Sequence, residues 1–168
     1  MEVSFLADYP QYAEQIAHWY FEQWGYLVPE ITIGTVKENV LRKAQSRNDI
    51  PLIFVIHQQD KPIGAIELKY RENANHPDYE HWIGGVYVSP EFRGKGVAGH
   101  LLETAKKHAR QLGLTKLYLQ CEDDYIGLYR KYGFHALHRT NHGVMSTTVM
   151  LWNVCEEKND KTAEHDDA

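Results

Sequence analysis

The stretch Val86-Tyr-Val-Ser-Pro-Glu-Phe-Arg-Gly-Lys-Gly-Val-Ala-Gly99 reads as a strand ending at Val88, a glycine-rich loop, and a helix starting near Gly96. Gly94, Gly96 and Gly99 sit where side chains would otherwise hold a ligand away from the backbone. Residues 94–99 can present several amide N–H groups at the positive end of a helix dipole, the arrangement that holds a phosphate or pyrophosphate. Arg93 and Lys95 add two cations. A tight turn whose glycines only satisfy backbone geometry has the same local sequence, so the flanking elements must decide.

Gly94-x-Gly96-x-x-Gly99 also matches the dinucleotide-binding fingerprint literally, with Glu122 about where a ribose-binding acid would lie. Three features oppose it. Ser89 to Arg93 separate the strand from the first glycine, the loop follows a helix-poor stretch, and too little chain follows Glu122 to complete a doubly wound half-sheet. A Walker loop fails too, because Gly94-Lys95 is followed by Gly96 and not by Ser or Thr.

Upstream, a strand is expected near Val3 to Leu6, then an amphipathic helix from about Pro10 to Trp24 with Tyr12, Ile16, Trp19, Tyr20 and Gln23 at helical spacing, ended by Gly25. A second helix is expected from Val36 to about Ser46, entered through a Thr35/Glu38 capping box. Leu52–His57, Ile63–Tyr70 and His81–Val88 read as an antiparallel meander, the first two runs joined by the turn Gln59-Asp-Lys-Pro62. Downstream, Val97, Leu101, Leu102, Ala105, Ala109 and Leu112 keep a helical period up to Gly113. A strand at Leu117–Gln120, a short helix from Asp124 to Tyr132, and closing strands at Phe134–Arg139 and Ser146–Val154 complete the chain.

The chain has 168 residues, enough for one core, and residues 1–155 are expected to form a single domain. Residues 156–168 carry six acids and two lysines with no large apolar residue, and are expected to be a disordered acidic tail. That tail accounts for −4 of the net charge of −5, so the folded part is nearly neutral. No basic cluster marks a nucleic-acid binder. No apolar run approaches the roughly 20 residues of a membrane span. Cys121 and Cys155 form no disulfide framework or zinc motif, so a cytoplasmic setting is expected. The ten histidines show no metal-ligand spacing, and no metal is expected.

The segment Val86 to Ala98 resembles the acyl-coenzyme A motif of the GNAT superfamily of N-acetyltransferases, whose pattern is Arg or Gln, two residues, Gly, one residue, Gly or Ala. Arg93, Gly96 and Ala98 occupy those places. Leu128-Tyr-Arg-Lys-Tyr-Gly-Phe134 resembles the family's Leu-Tyr-x-x-x-Gly-Phe signature, at the family's separation. The resemblance covers roughly residues 3 to 153 in order of elements. It implies a mixed α/β fold: a central, mostly antiparallel seven-stranded sheet with about four helices, opened into a V after Val88.

The resemblance also implies acetyl-CoA as co-substrate and transfer of its acetyl group to a primary amine of a small cationic molecule or peptide, by direct attack in a ternary complex. A non-catalytic acyl-CoA sensor on the same fold is the competing class. Val86, Tyr87 and Val88 would pair with the pantetheine arm, a backbone amide near Val86 would polarise the thioester carbonyl, and Gly94 to Gly99 with Arg93, Lys95, Val97 and Ala98 would hold the pyrophosphate. Tyr129 falls at the family tyrosine placed to protonate the leaving thiolate, which its ordinary phenol pKa near 10 would permit.

An alkyl ammonium must lose a proton before it attacks. The family's strand-four glutamate falls here near Trp82, so the base is open among Glu67, His81, Glu80 and a water chain. Glu122 stands where many relatives have an asparagine on the coenzyme arm, and Asp124 is expected to cap the short helix. The Glu122-Asp123-Asp124 run could instead attract a cationic amine. Cys121 beside those acids is disfavoured as a nucleophile. Trp19, Tyr20, Trp24, Tyr26, Tyr70, Tyr79 and Trp82 would line the acceptor side. The acceptor, and the choice between monomer and homodimer, stay open.

Overall fold

The computed structural model describes residues 1–142 and 144–154. The acidic segment 156–168 lies outside them. Seven strands form one sheet: β1 (Glu2–Phe5), β2 (Leu52–Gln58), β3 (Lys61–Tyr70), β4 (His81–Val88), β5 (Lys116–Cys121), β6 (His135–His142) and β7 (Met145–Asn153). Their order is β1-β2-β3-β4-β5-β7-β6. Every neighbouring pair is antiparallel except β4 and β5.

Four helices cover the sheet: α1 (Ala13–Trp24), α2 (Ile33–Lys43), α3 (Val97–Gln111) and α4 (Ile126–Lys131). Strand side chains alternate between faces, so each face makes its own core. Phe54, Ile56, Ile66, Leu68, Leu119 and Met150 pack with Leu101, Leu102 and Ala105 of α3 and Tyr129 of α4. Ile53, Val55 and Ala65 pack on the other face with Ile16, Tyr20, Val36 and Val40 of α1 and α2. β2 is buried on both faces, which explains its unbroken apolar run. Among the described residues no helix is long and apolar enough to cross a membrane.

The helix boundaries correct three expectations. α2 begins one turn earlier than expected, and its N-cap is Thr32, whose side chain accepts from the Thr35 amide at 3.2 Å. Ile33 packs against the same core as Val36 and Val40, so tertiary burial extends the helix over Gly34. In α1, Gln23 is exposed, whereas Phe21 and Trp24 pack at the edge of the core. Asp124 caps nothing: it lies inside a 3-10 turn, Asp123–Tyr125, that has no side-chain cap bond. Asp123 instead accepts from Arg139 at 2.9 Å.

The β2–β3 turn is also tighter than expected. Gln59 and Asp60 take left-handed φ of 50° and 58°, so Lys61 and Pro62 already belong to β3. Two successive left-handed residues match the right-handed twist of the flanking strands.

Candidate active site

β4 and β5 pair at one position only, Trp82 with Tyr118. Beyond it the strands part, and Gly84 to Val88 stay half-exposed in the middle of the sheet. On the β3 side the register shifts between Ala65 and Glu67, leaving Gly85 and Val86 outside the regular register there. Gly85 has φ +54°, a left-handed bulge residue. The result is a V-shaped slot whose inner edge is the backbone of Gly85 to Val88. Two consecutive glycines within a strand pattern were the signal for this bulge.

Val86 and Val88 pack against the α3 and α4 face, with Val97, Cys121 and Tyr129 in the same core. Tyr87 points to the α1 side and stacks on Trp19 at 5.0 Å between ring centres. Arg93 turns back on the strand: its Nε donates to the Val88 carbonyl at 2.9 Å and its guanidinium lies 5.5 Å over the Tyr87 ring. Arg93 thus ties the loop to the strand end. Lys95 reaches over the Phe92 ring.

Gly94 and Gly96 have φ of +75° and +80°, and a Cβ on either would meet open space. Their glycine character therefore serves backbone conformation. Gly96 is the N-cap of α3, and no side chain caps that end and no acid lies in its first turn. The amides of Val97, Ala98 and Gly99 have no acceptor within the helix, because the first turn of any α-helix lacks them. A 15-residue helix thus presents uncapped donors beside the slot.

Gly99 differs from the other two. It is buried, and a Cβ there would lie 1.9 Å from the Tyr132 hydroxyl. Its missing side chain admits Tyr132, the C-cap of α4, to α3, so its side-chain position is closed to a ligand. Gly99→Ala should destabilise the fold by about 1–3 kcal/mol through overpacking. Urea denaturation measures this; unchanged stability would mean that Tyr132 swings away at no cost.

Tyr129 is buried and meets Phe134 edge-on at 6.3 Å. Burial, then Cys121 and Tyr125, push its phenol well above the ordinary value of 10.0. The phenol therefore stays protonated at working pH. Cys121 is pushed up to about 11 by burial and then by Asp123 and Glu122, which leaves almost no thiolate near neutrality.

Glu67 lies on the opposite face of the sheet from Tyr129, next to α1 and α2. It is 3% exposed and pairs with Lys43 at 2.9 Å and Lys69 at 3.7 Å. Burial alone would raise its carboxyl, but Lys69 and Lys43 outweigh it and hold the group below its ordinary value of 4.5. Such a carboxylate is a poor proton acceptor for an ammonium. Because the folded value is depressed, the pairing stabilises the protein above about pH 4.5 and fades as pH falls through the folded value.

Glu67→Gln should destabilise the protein near pH 7, toward the low end of the about 3–5 kcal/mol for breaking a buried pair, since the lysines keep some exposure. That difference should shrink below pH 4.5. Urea unfolding of both proteins from pH 7 to 3 checks it; a constant difference would mean that Glu67 is not ionised in the fold.

His81 does not join the site. It opens β4 at the closed end of the V, five residues before Val86, with its ring 5.3 Å from Tyr70 and Nε2 3.9 Å from Glu80. Glu80 is exposed and faces Arg71 at 4.0 Å. Trp82, where the family glutamate would stand, is fully buried and donates from Nε1 to the Tyr79 carbonyl at 2.6 Å. Tyr79 stacks on Tyr118 at 4.2 Å, and Asn73 donates to Gln120 at 2.9 Å, pinning the 71–80 loop over β5. Tyr26 and Tyr70 are exposed.

Residues 13–134 match the family model "Acetyltransferase (GNAT) family". No curated protein matches the sequence. Among solved structures, an aminoglycoside 6'-N-acetyltransferase complexed with coenzyme A superposes with a TM-score of 0.66 at 15% identity, over 92% of this chain and 97% of that one. A spermidine N-acetyltransferase chimera from Vibrio cholerae and hSSAT superposes with a TM-score of 0.68 at 20% identity, over 95% and 99%. A GNAT-family acetyltransferase from Streptococcus pneumoniae gives 0.64 at 15%, over 86% and 94%. At these identities the structures speak for the fold, whose mixed seven-stranded sheet and four helices are those expected from the sequence. The family match spans most of the chain and includes both the glycine loop and Tyr129, and on that ground the chain belongs to the GNAT acetyltransferase family.

Proposed function

We propose that this GNAT acetyltransferase moves the acetyl group of acetyl-CoA to a primary amine within a ternary complex. The observation that carries the reading is the juxtaposition of the open β4 edge with the uncapped N-terminus of α3. The amides of residues 94–99 would take the pyrophosphate and the edge from Val86 to Val88 would pair with the pantetheine amides, directing the thioester toward the core face that holds Tyr129. An aminoglycoside N-acetyltransferase of this fold is complexed with coenzyme A, which supports coenzyme binding here.

In the reaction the amine nitrogen attacks the thioester carbon, the carbonyl oxygen takes up negative charge, and the C–S bond then breaks. A backbone N–H at Val86 would hold the oxyanion, a contact whose loss costs about 10²–10³-fold in measured cases. Tyr129 would donate a hydrogen bond to the departing sulfur. Its raised pKa makes complete transfer to a thiolate of pKa about 8.5 uphill, so the sulfur takes its proton from solvent afterwards.

The amine's proton leaves through water in this reading, because Glu67 is committed to two lysines and His81 stands at the closed end. Glu67 then organises the floor between α2 and β3 electrostatically. The acceptor is a cationic amine met by the aromatic side of the cleft, with Trp19 and Trp24 flanking Tyr87. A free Cys121 thiol fits a reducing cytoplasm.

Thiol release from acetyl-CoA over a panel of polyamines, aminoglycosides and peptide amino termini tests the proposal. Release above the hydrolysis background with at least one amine is the expected result. Tight binding of acetyl-CoA with no release from any amine would favour a sensor instead.

A further inference from the structure

The bulge that opens the slot is held from outside the strand. Tyr20 of α1 donates its hydroxyl to the Gly85 carbonyl at 2.8 Å. The fit is close: a Cβ on Gly85 would lie 2.7 Å from that hydroxyl, 2.8 Å from Tyr20 Cζ and 3.0 Å from Glu67 Cγ. Gly85 is therefore glycine both for its left-handed φ of +54° and for the approach of Tyr20. Tyr20 is buried beside Trp24, with ring centres 5.4 Å apart. Burial, and then Glu67, keep its phenol well above the ordinary value, so it remains a donor at any working pH.

The Gly85 carbonyl and the Val86 N–H belong to one planar peptide unit and point in opposite directions. Tyr20 draws the carbonyl toward α1. The N–H is thereby turned toward the opposite side, the face that carries Tyr129 and Cys121. Gly85 and Val86 fall at the register shift against β3 and have no register partner in β5, so Tyr20 adds a hold on the tilt of this peptide where the regular ladder is interrupted. A carbonyl that accepts a hydrogen bond also polarises its own peptide and strengthens the N–H as a donor.

We infer that Tyr20 is a positioning residue for acetyl transfer: its hydrogen bond to the Gly85 carbonyl sets the Gly85–Val86 peptide so that the Val86 N–H is aimed at and strengthened toward the thioester oxygen. This rests on the reading that acetyl-CoA lies along β4. α1 then does more than wall the acceptor. It sets the polarising contact through a peptide plane.

The test is the infrared stretch of ¹³C-carbonyl-labelled acetyl-CoA bound to the full chain without amine, for the unmodified protein and Tyr20→Phe, with affinity measured by calorimetry. The unmodified protein should lower the carbonyl frequency relative to free acetyl-CoA. Tyr20→Phe should bind acetyl-CoA within about twofold yet return the frequency toward the free value, with kcat down about tenfold, a partial loss of one oxyanion contact. Tyr12→Phe, which removes the hydroxyl of another tyrosine packed in the same core, should leave the frequency unchanged.

3-Fluorotyrosine in place of Tyr20 keeps the packing and donates more strongly, so it should lower the frequency further. It serves also if Tyr20→Phe fails to fold. Tight binding with the same frequency in the unmodified protein and the position-20 variants overturns the inference, as does a bound frequency equal to that of free acetyl-CoA in the unmodified protein. Absence of binding by the unmodified protein overturns the proposed function itself, a separate and recognisable failure.

Discussion

Tyr129→Phe should lower turnover about 10²-fold while leaving the affinity for acetyl-CoA within a few fold. The estimate lies where the range for a hydrogen bond to a charged group meets that for acid assistance. The substitution keeps the ring that meets Phe134 and the backbone carbonyl that accepts from the Tyr132 and Phe134 amides, and removes only the hydroxyl. Folding should therefore be unaffected. Single-turnover rates with saturating acetyl-CoA and amine isolate the chemical step. Unchanged single-turnover rates would return Tyr129 to a plain core aromatic and leave the thiolate to depart unaided.

Gly96→Val should weaken coenzyme A binding by well over tenfold. A β-branched residue at φ +80° costs of order 1–3 kcal/mol, which the loop relieves by leaving the conformation that aims its amides outward. The added side chain also stands where the pyrophosphate would lie. Gly113→Val separates binding from stability, since Gly113 has φ +77° at the other end of α3 and equally open surroundings. Both variants should lose comparable stability in urea, but calorimetry should show weakened coenzyme A binding only for Gly96→Val. Equal affinities in the two would mean that the loop does not hold the pyrophosphate.

Local signals carried the elements whose reasons are local. The α3 period from Val97 to Ala109 names the buried face of that helix, and Gly113 ends it in the left-handed conformation expected of such a residue. The acyl-coenzyme A motif and the Leu-Tyr-x-x-x-Gly-Phe segment placed the slot and Tyr129 because each encodes a turn beside a buried side chain. Features decided by distant partners were hidden. The Thr32 cap follows from burial of Ile33 against the sheet, which the stronger-looking Thr35/Glu38 pattern masks.

Glycines show the same limit within one motif. Gly94, Gly96 and Gly99 look alike in sequence, yet two need a left-handed φ and the third makes room for Tyr132, 33 residues later. Glu67 reads as a cleft carboxylate from strand alternation alone. Its commitment to Lys43, 24 residues earlier on α2, decides its basicity and is invisible to the pattern. The Tyr20–Gly85 contact spans 65 residues and was missed for the same reason, although the paired glycines in β4 flagged the place.

In the proposed reaction the acetyl group passes directly from coenzyme to amine, with no acetyl-enzyme on the way. Rapid mixing with acetyl-CoA, first without and then with an accepted amine, tests it through released thiol and the intact mass of the protein. Without amine, the account predicts unmodified protein and no stoichiometric thiol burst, in keeping with a buried Cys121 pushed up to about 11. With amine, thiol should appear in step with acetylated amine. Protein that gains an acetyl group and passes it on when amine is added would contradict direct transfer, and thiol that never appears with any amine would contradict catalysis.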